Sequence, residues 1–399
     1  MSEAAIRQTG VEPAQAGAPV EQAVAERLGP VRIVFAGGGT GGHLMPGLTV
    51  ARAIADRMPA AELIFFGTQG DLEQRIVAQH GFRLAQIKTA KRNPGWWRLP
   101  GLAVGWMASL VRAHLAVGRF GPDVIVGLGG FGSVFPGLSG ALRGIRLVLL
   151  EQNVLPGRVT RVLSRWAQTI ECQWEESAQY FKAGRPLRFS GNPVREEIFP
   201  GRREARHDLF GLSPEKKTLL VTGGSQGALS VNELFIGALE RLEGMAGSIQ
   251  VIHCAGEFSV DRVREGYRSS KVAHYVCSYL EDMASAYAIA DLVIARAGGT
   301  TIAELAAAGL PAVLIPLPTA ADDHQRLNAE AMQRRGAAIV AHQKDLTSDR
   351  LAEIICDLLG DESRLAEMKK CALAMSKPEA TTEIAGRICE IALSEMEET

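Results

Sequence analysis

The hydrophobic pattern of the chain is one of short apolar runs, rich in β-branched residues, that alternate with longer amphipathic segments. Segments such as 47–57 and 301–308 have the spacing and composition of helices, whereas the apolar runs are of strand length. The predicted strands are Arg32–Ala36, Leu63–Phe66, Val124–Val126, Leu147–Leu150, Leu219–Thr222, Gln250–His253, Leu292–Ala295 and Ala312–Ile315. Alternation of strands and helices predicts an α/β protein whose parallel sheets are covered by helices on both faces.

One opening pattern occurs twice along the chain. The first strand runs directly into the glycine-rich segment 37–42, and the strand Leu219–Thr222 runs into a second such segment, 223–227. A strand, a glycine-rich loop and a helix form the first unit of a Rossmann-like domain. Two copies predict two Rossmann-like domains that face each other across a cleft, with a connection near the Pro- and Gly-containing segment 191–195. The active site is expected in that cleft, beyond the carboxyl ends of the strands.

Composition supports this division and places the chain among ordinary globular proteins. At 399 residues, with 47% hydrophobic and 22% charged residues, it is long for one hydrophobic core. The six cysteines are scattered and form no C-x-x-C pair, which favours free thiols over a disulfide framework or a zinc site. The apolar stretch 102–118 is interrupted by Arg112 and His114 and is too short for a bilayer. Residues 1–28 lack the pattern of a signal peptide and are expected to form a flexible tail.

Charge is distributed unevenly. Residues 29–200 contain 20 Lys plus Arg against 11 Asp plus Glu, although the whole chain has a formal charge of −1. A basic half is typical of a protein with an anionic partner, such as a phosphate group or an acidic membrane face. An uneven but merely solvated surface explains the same numbers equally well.

The first glycine-rich loop carries the candidate chemistry of the first domain. Gly37, Gly39 and Gly42 fit the dinucleotide fingerprint, but the second strand ends without the acid that would hold a ribose, and no Gly-Lys-Ser/Thr follows. The loop retains the ability to hold a diphosphate on N–H groups at a helix start. A ligand-free turn is the alternative. His43 lies where the loop becomes a helix, and a neutral imidazole there can accept the proton of an attacking hydroxyl.

Two clusters in the second half are candidates for binding a nucleotide sugar. Segment 295–304 follows a strand and opens a helix, so that its N–H groups can hold a phosphate while Glu304 accepts from a ribose. An acid near a helix start also stabilises any helix, which is the structural alternative. Segment 322–328 supplies imidazole and amide groups suited to sugar hydroxyls, or simply a polar helix start.

These segments together resemble the MurG family, the bacterial transferases that add N-acetylglucosamine to the lipid-linked muramyl-pentapeptide precursor of peptidoglycan. Seven motifs occur in the order of the family between residues 31 and 330. They are 38–43 with 46–47, 129–131, 151–153 with 156–157, 191–195, 223–227, the Arg296–Glu304 segment, and 323–325 with Asn328.

The resemblance implies the GT-B fold: residues 29–190 form an acceptor- and membrane-facing domain, residues 191–375 form a UDP-sugar domain, and a helix in 376–399 crosses back to the first. It implies the inverting transfer of N-acetylglucosamine from UDP-N-acetylglucosamine to the muramyl 4-hydroxyl of the undecaprenyl-diphosphate-linked pentapeptide (lipid I to lipid II), without a cofactor or metal. No Asp-x-Asp motif lies near the cleft segments. The implied location is peripheral, on the cytoplasmic face of the inner membrane, with no nucleic-acid partner.

The site residues follow from the same resemblance. His43 is the implied catalytic residue, next to the attacking hydroxyl. The implied substrate-binding residues are Thr40, Gly41, Gly42, His43, Asn153, Arg195, Ser225, Gln226, Arg296, Gly298, Thr300, Thr301, Glu304, His324 and Gln325.

Contact with an anionic membrane is a separate hypothesis. Lys88, Lys91, Arg92 and Arg98 surround Trp96 and Trp97. Tryptophan rings and flanking cations suit the headgroup region of an anionic bilayer. Inward packing of both tryptophans is the alternative.

Four other functions remain open from the sequence. The first is transfer to a different lipid, such as diacylglycerol, and the second is epimerisation of a UDP-sugar on the same fold. The third is a nucleotide-sugar-binding protein without catalysis, against which His43, Glu304 and Gln325 argue. An NAD-dependent dehydrogenase is the fourth, and it lacks the ribose-binding acid.

Overall fold

The computed structural model describes residues 29–38, 41–68, 70–89, 99–224 and 227–394. These residues form two domains, each built on one parallel β-sheet with helices on both faces. The α/β class and the two-domain arrangement predicted from the sequence are therefore confirmed.

The sheet of the first domain has seven parallel strands in the order β3-β2-β1-β4-β5-β6-β7. Its strands are β1 (Arg32–Ala36), β2 (Glu62–Gly67), β3 (Arg83–Gln86), β4 (Val124–Gly127), β5 (Arg146–Glu151), β6 (Ala167–Cys172) and β7 (Leu187–Arg188). Its helices are α1 (Gly41–Arg57), α2 (Asp71–Gln79), α3 (Leu99–Phe120), α4 (Val134–Leu142) and α5 (Arg158–Leu163).

The sheet of the second domain has six parallel strands in the order β10-β9-β8-β11-β12-β13. Its strands are β8 (Lys217–Thr222), β9 (Ile249–Cys254), β10 (Ala273–Cys277), β11 (Leu292–Ala295), β12 (Ala312–Leu314) and β13 (Ala338–Val340). The remaining helices are α6 (Leu229–Leu242), α7 (Val260–Tyr267), α8 (Met283–Ile289), α9 (Gly299–Ala308), α10 (His324–Arg334), α11 (Ser348–Gly360), α12 (Glu362–Ala374) and α13 (Ala380–Leu393).

In both sheets the strand order reverses next to the strand that precedes a glycine-rich loop. In the first sheet the order reverses between β1 and β4, and in the second between β8 and β11. Ligands of such sheets bind beyond the carboxyl ends of the strands at this point. The central strands are buried on both faces, as in β1, where Ile33 to Ala36 are inaccessible. Burial of this kind requires the continuous apolar runs seen in the sequence.

The last described helix, α13, completes the core of the first domain. Ile384, Ile388 and Cys389 are inaccessible and pack in the same cluster as Leu44 and Leu48 of α1. Arg146, on β5, donates to the carbonyl of Ile391. The chain therefore returns to the first domain after it has built the second.

Helix α3 exposes several apolar residues along its length. At least half of each side chain is exposed at Val104, Met107, Val111 and Leu115. Within the part of the chain that the structure describes, no helix is both long enough and apolar enough to span a membrane.

Candidate active site

A cavity of about 1170 Å³ lies between the two domains, at the carboxyl ends of both sheets. Its wall includes eleven of the residues predicted from the sequence. They are Gly42, His43, Asn153, Arg195, Arg296, Gly298, Thr300, Thr301, Glu304, His324 and Gln325. Gly41 begins α1. Thr40, Ser225 and Gln226 lie outside the described residues.

His43 occupies the first turn of α1, on the first-domain side of the cavity. Its imidazole packs against the turn after β4, where a Cβ at Gly129 would lie 3.2 Å from its Cδ2. Gly129 and Gly130 have φ of 86° and 70°, a conformation that glycine adopts without strain. Glycine at these positions therefore lets the turn close over the imidazole.

The environment of His43 keeps its imidazole neutral. Burial lowers the pKa of His43 to about 4, and the charge of His324, from the second domain, lowers it further to a smaller extent. At neutral pH the ring has a nitrogen lone pair, so it can act as a proton acceptor.

Glu304 lies on α9, on the second-domain side. One carboxylate oxygen accepts from the hydroxyl of Tyr287 at 3.1 Å, and the other lies 3.7 Å from a guanidinium nitrogen of Arg195. Burial raises the pKa of the Glu304 carboxyl, while Arg195 and Tyr287 oppose that rise. A carboxylate oriented in this way has lone pairs left for ligand hydroxyl groups.

Arg296 is held by the protein. Its guanidinium donates to the carbonyls of Ile315 and Pro316 at 3.0 and 3.2 Å, and to Ser230 and Gln343, both at 2.8 Å. Burial lowers the pKa of Arg296. The side chain therefore ties the ends of β11 and β12 to α6, and it shapes the cavity wall behind α9.

His324 and Gln325 begin α10 after a sharp turn. His324 donates from Nδ1 to the carbonyl of Ala321 at 2.8 Å, which leaves Nε2 as its other polar atom. Gln325 uses its side-chain oxygen to accept the N–H of Leu317 at 3.0 Å, so its NH₂ group is left to donate. Asp322 and Asp323 precede them with φ of 52° and 58°. Asp322 pairs there with Arg158 and Arg161 of the first domain.

The two domains meet directly at the start of α9. Thr300 donates to the carbonyl of Gly42 at 2.6 Å, which joins the first turns of α9 and α1. A Cβ at Gly299 would lie 2.7 Å from both the Cβ and the carbonyl oxygen of Gln152. Glycine at 299 is therefore needed for the first domain to approach this closely.

Two buried residues of this region, Glu151 and Asn328, belong to the sequence motifs but are not among the predicted site residues. Glu151 ends β5 and accepts from the backbone N–H groups of Asn153 and Gly157 at 3.0 and 2.9 Å. Asn328, on α10, is inaccessible and bonds to Asn153 and Val154 of the first domain. The burial of Glu151 and the partners of Asn328 in the other domain are not readable from a linear sequence.

Comparison with known proteins agrees with this architecture. Residues 33–171 match the glycosyltransferase family 28 N-terminal domain, and residues 218–384 match the glycosyltransferase family 28 C-terminal domain.

Two relatives from Geobacter sp. (strain M21) and Chlorobaculum parvum bear the name UDP-N-acetylglucosamine–N-acetylmuramyl-(pentapeptide) pyrophosphoryl-undecaprenol N-acetylglucosamine transferase. The Geobacter protein is 37% identical over 355 residues, which cover 89% of this chain and 94% of the relative. The Chlorobaculum protein is 38% identical over 370 residues, which cover 91% of this chain and all of the relative.

Solved structures show the same fold. The crystal structure of Acinetobacter baumannii MurG superposes with a TM-score of 0.71 at 28% identity, covering 90% of this chain and 99% of that one. A putative UDP-N-acetylglucosamine 2-epimerase from Listeria monocytogenes superposes with a TM-score of 0.66 at 13% identity, covering 93% and 98%, which is a likeness of fold alone. On the family matches and the identity with its relatives, the chain belongs to glycosyltransferase family 28.

Proposed function

We propose that this protein transfers N-acetylglucosamine from UDP-N-acetylglucosamine to the 4-hydroxyl of the undecaprenyl-diphosphate-linked N-acetylmuramyl-pentapeptide, with inversion, in peptidoglycan synthesis. The observation that carries the proposal is the cavity in which a neutral His43 of one domain lies across from Glu304, His324 and Gln325 of the other. The relatives' shared name supports the choice of donor and acceptor.

In this proposal the donor lies mainly on the second domain, residues 191–375. Glu304 accepts from the ribose hydroxyls, because its carboxylate is already oriented by Tyr287 and Arg195. His324 and Gln325 each retain a polar atom for the sugar hydroxyls. Ser225 and Gln226 are proposed at the diphosphate from the sequence motif alone.

The first domain, residues 29–190, holds the acceptor in this proposal. Gly41 and Gly42, at the start of α1, face the acceptor diphosphate, and His43 accepts the proton of the attacking hydroxyl. Thr40 is proposed at the same diphosphate from the sequence motif alone. UDP leaves from the opposite side of the anomeric carbon, which inverts it. The N–H groups at the start of α9, near Gly298, Thr300 and Thr301, stabilise the charge that grows on the leaving diphosphate.

The first test is transfer of labelled N-acetylglucosamine from its UDP donor to a short-chain analogue of the lipid-linked muramyl-pentapeptide, with and without EDTA. Lipid-dependent transfer that EDTA does not change would support both the acceptor and a metal-free reaction. If UDP-N-acetylglucosamine binds but no transfer occurs, the acceptor assignment is wrong, and other lipid acceptors and epimerisation should be assayed.

His43→Ala tests the role of the imidazole. Loss of a positioned proton acceptor should lower kcat by about 10²–10⁴-fold while the Kd of UDP stays nearly unchanged. Equal losses of turnover and UDP affinity would instead indicate that His43 supports the structure of the cavity.

The same proposal includes docking of the first domain on an anionic membrane. The exposed apolar face of α3, defined by Val104, Met107, Val111 and Leu115, spans about three turns of the helix. The sequence from Lys88 to Pro122 contains no Asp or Glu. Apolar side chains within a purely basic segment suit the interface of an anionic bilayer. Lys91, Arg92, Trp96, Trp97 and Arg98 of the predicted membrane segment lie outside the described residues.

Vesicle sedimentation tests this docking and its peripheral character. Met107→Glu/Val111→Glu should lower binding to phosphatidylglycerol-containing vesicles by about tenfold or more, since it places two anions against an anionic surface. Leu209→Glu/Phe258→Glu, which changes two exposed apolar residues of the second domain, is the matched control. Equal binding by both double variants would exclude the α3 face. The cytoplasmic face of the inner membrane is the proposed side of docking, as the resemblance to the MurG family implies.

A further inference from the structure

One acid of the second domain binds two cations of the first. Arg158 donates to the carboxylate of Asp322 through two guanidinium nitrogens, from Nε to Oδ2 at 2.9 Å and from a terminal nitrogen to Oδ1. Arg161 donates to Oδ2 of the same carboxylate at 3.1 Å. The two arginines are three positions apart on α5, so they project from the same face of that helix. We call these three residues the Asp322 cluster.

The geometry of the Asp322 cluster differs from that of an ordinary surface ion pair. Isolated exposed pairs contribute little to stability, because the side chains lose entropy and water screens the charges. Here a planar guanidinium meets the carboxylate through two hydrogen bonds, and a second cation binds the same acid. The side chain of Asp322 is only 26% exposed, and the hydrogen bond from Arg158 lowers its pKa. The cluster therefore joins the two domains at a defined point, the turn of residues 321–323.

The backbone of this turn has an uncommon conformation. Asp322 has φ 52° and ψ 23°, and Asp323 has φ 58° and ψ 27°. They are the only non-glycine residues with positive φ in the part of the chain that the structure describes. Two such residues in succession are unfavourable unless their surroundings hold them. The N–H of Asp323 donates to the carbonyl of Ala320 at 2.9 Å, and Arg158 and Arg161 hold Asp322 from the other domain.

The conformation of this turn decides where His324 and Gln325 point. These are the next two residues along the chain, and both line the active-site cavity. The imidazole of His324 is bonded to the turn itself, from Nδ1 to the carbonyl of Ala321 at 2.8 Å. A change of φ at Asp322 would therefore move the imidazole of His324.

The nucleotide part of the proposed donor site is built from other elements. Glu304 is oriented by Tyr287 and Arg195, and the N–H groups proposed at the leaving diphosphate belong to the start of α9. These contacts do not involve the turn of residues 321–323. A displacement of the turn should therefore affect binding of the sugar more than binding of UDP.

We propose that Asp322 is a positioning residue for the donor sugar, which holds the turn before His324 and Gln325 in place through Arg158 and Arg161 of the first domain. This role rests on the proposed function, because it takes the donor to be a UDP-sugar. It gives the first domain a part in recognition of the donor, through two arginines that are not among the predicted binding residues. The sugar site is complete only when α5 lies against the turn.

Calorimetric titration with UDP and with UDP-N-acetylglucosamine tests this role, because the difference between the two affinities reports on the sugar. Asp322→Asn removes the charge and keeps a side chain that tolerates positive φ. Its Kd for UDP-N-acetylglucosamine should rise by at least about fivefold, while its Kd for UDP stays within about twofold of wild type. Arg158→Ala/Arg161→Ala, which changes only the first domain, should give the same result.

Arg165→Ala is the matched control, because it removes an exposed cation just beyond α5. It should bind both ligands as wild type does. An equal loss of affinity for UDP and UDP-N-acetylglucosamine in Asp322→Asn or in the double arginine variant would indicate a general structural role and overturn the proposal. Wild-type affinity of Asp322→Asn for UDP-N-acetylglucosamine would overturn it as well.

The combined variant Asp322→Asn/Arg158→Ala/Arg161→Ala tests whether the three residues act as one unit. It should bind UDP-N-acetylglucosamine within about twofold of the weaker of its two parents, because the second change removes contacts that the first has already broken. Additive losses would mean that the acid and the arginines act separately, which would overturn the link between the domains.

These titrations need no acceptor lipid, so their result is independent of the transfer assay. If wild type failed to bind UDP-N-acetylglucosamine, the donor assignment of the proposed function would be wrong, and the positioning role with it. If wild type bound both ligands and the variants did not distinguish between them, only the positioning role would be wrong.

Discussion

Asn328 of the second domain and Asn153 of the first are joined side chain to side chain, with the amide nitrogen of Asn328 donating to Oδ1 of Asn153 at 2.9 Å. The oxygen of Asn328 accepts the N–H of Val154 at 2.9 Å, and its nitrogen also donates to the carbonyl of Ala297 at 3.2 Å. Because Asn328 is inaccessible, these bonds have no competition from water. The side-chain amide of Asn328 therefore fixes the position of the first domain relative to α9 and α10.

Asn328→Leu removes the amide and keeps a similar volume. The N–H of Val154 and the oxygens of Asn153 and Ala297 are then left unpaired at a buried interface, so the free energy of unfolding should fall by about 2–4 kcal/mol. Urea denaturation followed by circular dichroism measures this. Lys369→Ala, on the exposed face of α12, should change it by less than about 0.5 kcal/mol. A stability equal to wild type would show that the domains close without this amide.

Gly299→Ala places a Cβ where Gln152 already lies, 2.7 Å from its Cβ and its carbonyl oxygen. The backbone at Gln152 or α9 must move, which also strains the bond from Thr300 to Gly42. We expect kcat/KM to fall by about tenfold or more, because displacement of an active-site element by fractions of an ångström impairs orientation.

Steady-state kinetics with both substrates checks this effect. Gly360→Ala is the control, because a Cβ there has nothing within 4 Å. A Gly299→Ala enzyme with wild-type kcat/KM would mean that the two domains need not approach this closely during turnover.

Glu304→Ala should act chiefly on donor binding. Loss of a charged hydrogen-bond acceptor for the ribose is expected to weaken UDP binding by about 1–3 kcal/mol, or about 5–150-fold. Calorimetry with UDP measures the loss, and Glu257→Ala, an exposed acid of the same domain, is the control. Unchanged UDP affinity in Glu304→Ala would remove this residue from the ribose site.

The contribution of two buried histidines to the free energy of unfolding should fall as the pH is lowered from about 6.5. Burial lowers the pKa of His43 to about 4 and that of His253 to about 3, against an ordinary value of 6.5. The unfolded chain then binds protons that the folded chain does not, so each histidine contributes stability above pH 6.5 that is lost as the pH falls toward its folded pKa. Each uncompensated proton lowers the free energy of unfolding by about 1.4 kcal/mol per pH unit in this window.

Denaturation of His253→Gln at pH 7, 6 and 5 measures the contribution of that residue. The contribution is read as a change in the slope of the free energy of unfolding against pH. His253 is inaccessible and contacts the hydroxyl of Tyr267 and the side-chain oxygen of Asn232, both at 3.1 Å. We expect the slope for His253→Gln to be shallower than that of wild type by about 1.4 kcal/mol per pH unit. His342→Gln, at an exposed position, should keep the wild-type slope. Parallel slopes for His253→Gln and wild type would contradict a neutral buried His253.

Prediction of the strands succeeded where burial leaves an apolar run in the sequence. All eight predicted runs correspond to strands, namely β1, β2, β4, β5, β8, β9, β11 and β12, and only Ala312–Ile315 extends one residue beyond its strand. The five strands that the pattern missed are β3, β6, β7, β10 and β13. Four of these are at sheet edges, where one side needs no partner and polar residues such as Arg83, Arg188 and His274 are tolerated. Parallel edge strands of this composition have no periodic signal.

The start of α1 and the contacts of Arg296 show what the sequence does not contain. The pattern placed the first helix at residues 47–57, whereas α1 begins at Gly41 and includes Pro46, because glycine and proline near a helix start look like loop residues. Arg296 and Asn328 were recognised as motif positions, but their partners lie on other strands and in the other domain. Interactions between distant segments depend on how the two sheets are oriented, which no local pattern specifies.

The position of α13 also has a consequence for synthesis on the ribosome. Ile384, Ile388 and Cys389 cover one face of the first domain, next to Leu44 and Leu48. Since residues of the second domain, up to α12, are translated before α13, this face of the first domain stays open while the second is being made. Nascent first domain should therefore depend on chaperones, or remain partly folded, until α13 has emerged, even though domains commonly fold in the order in which they are synthesised.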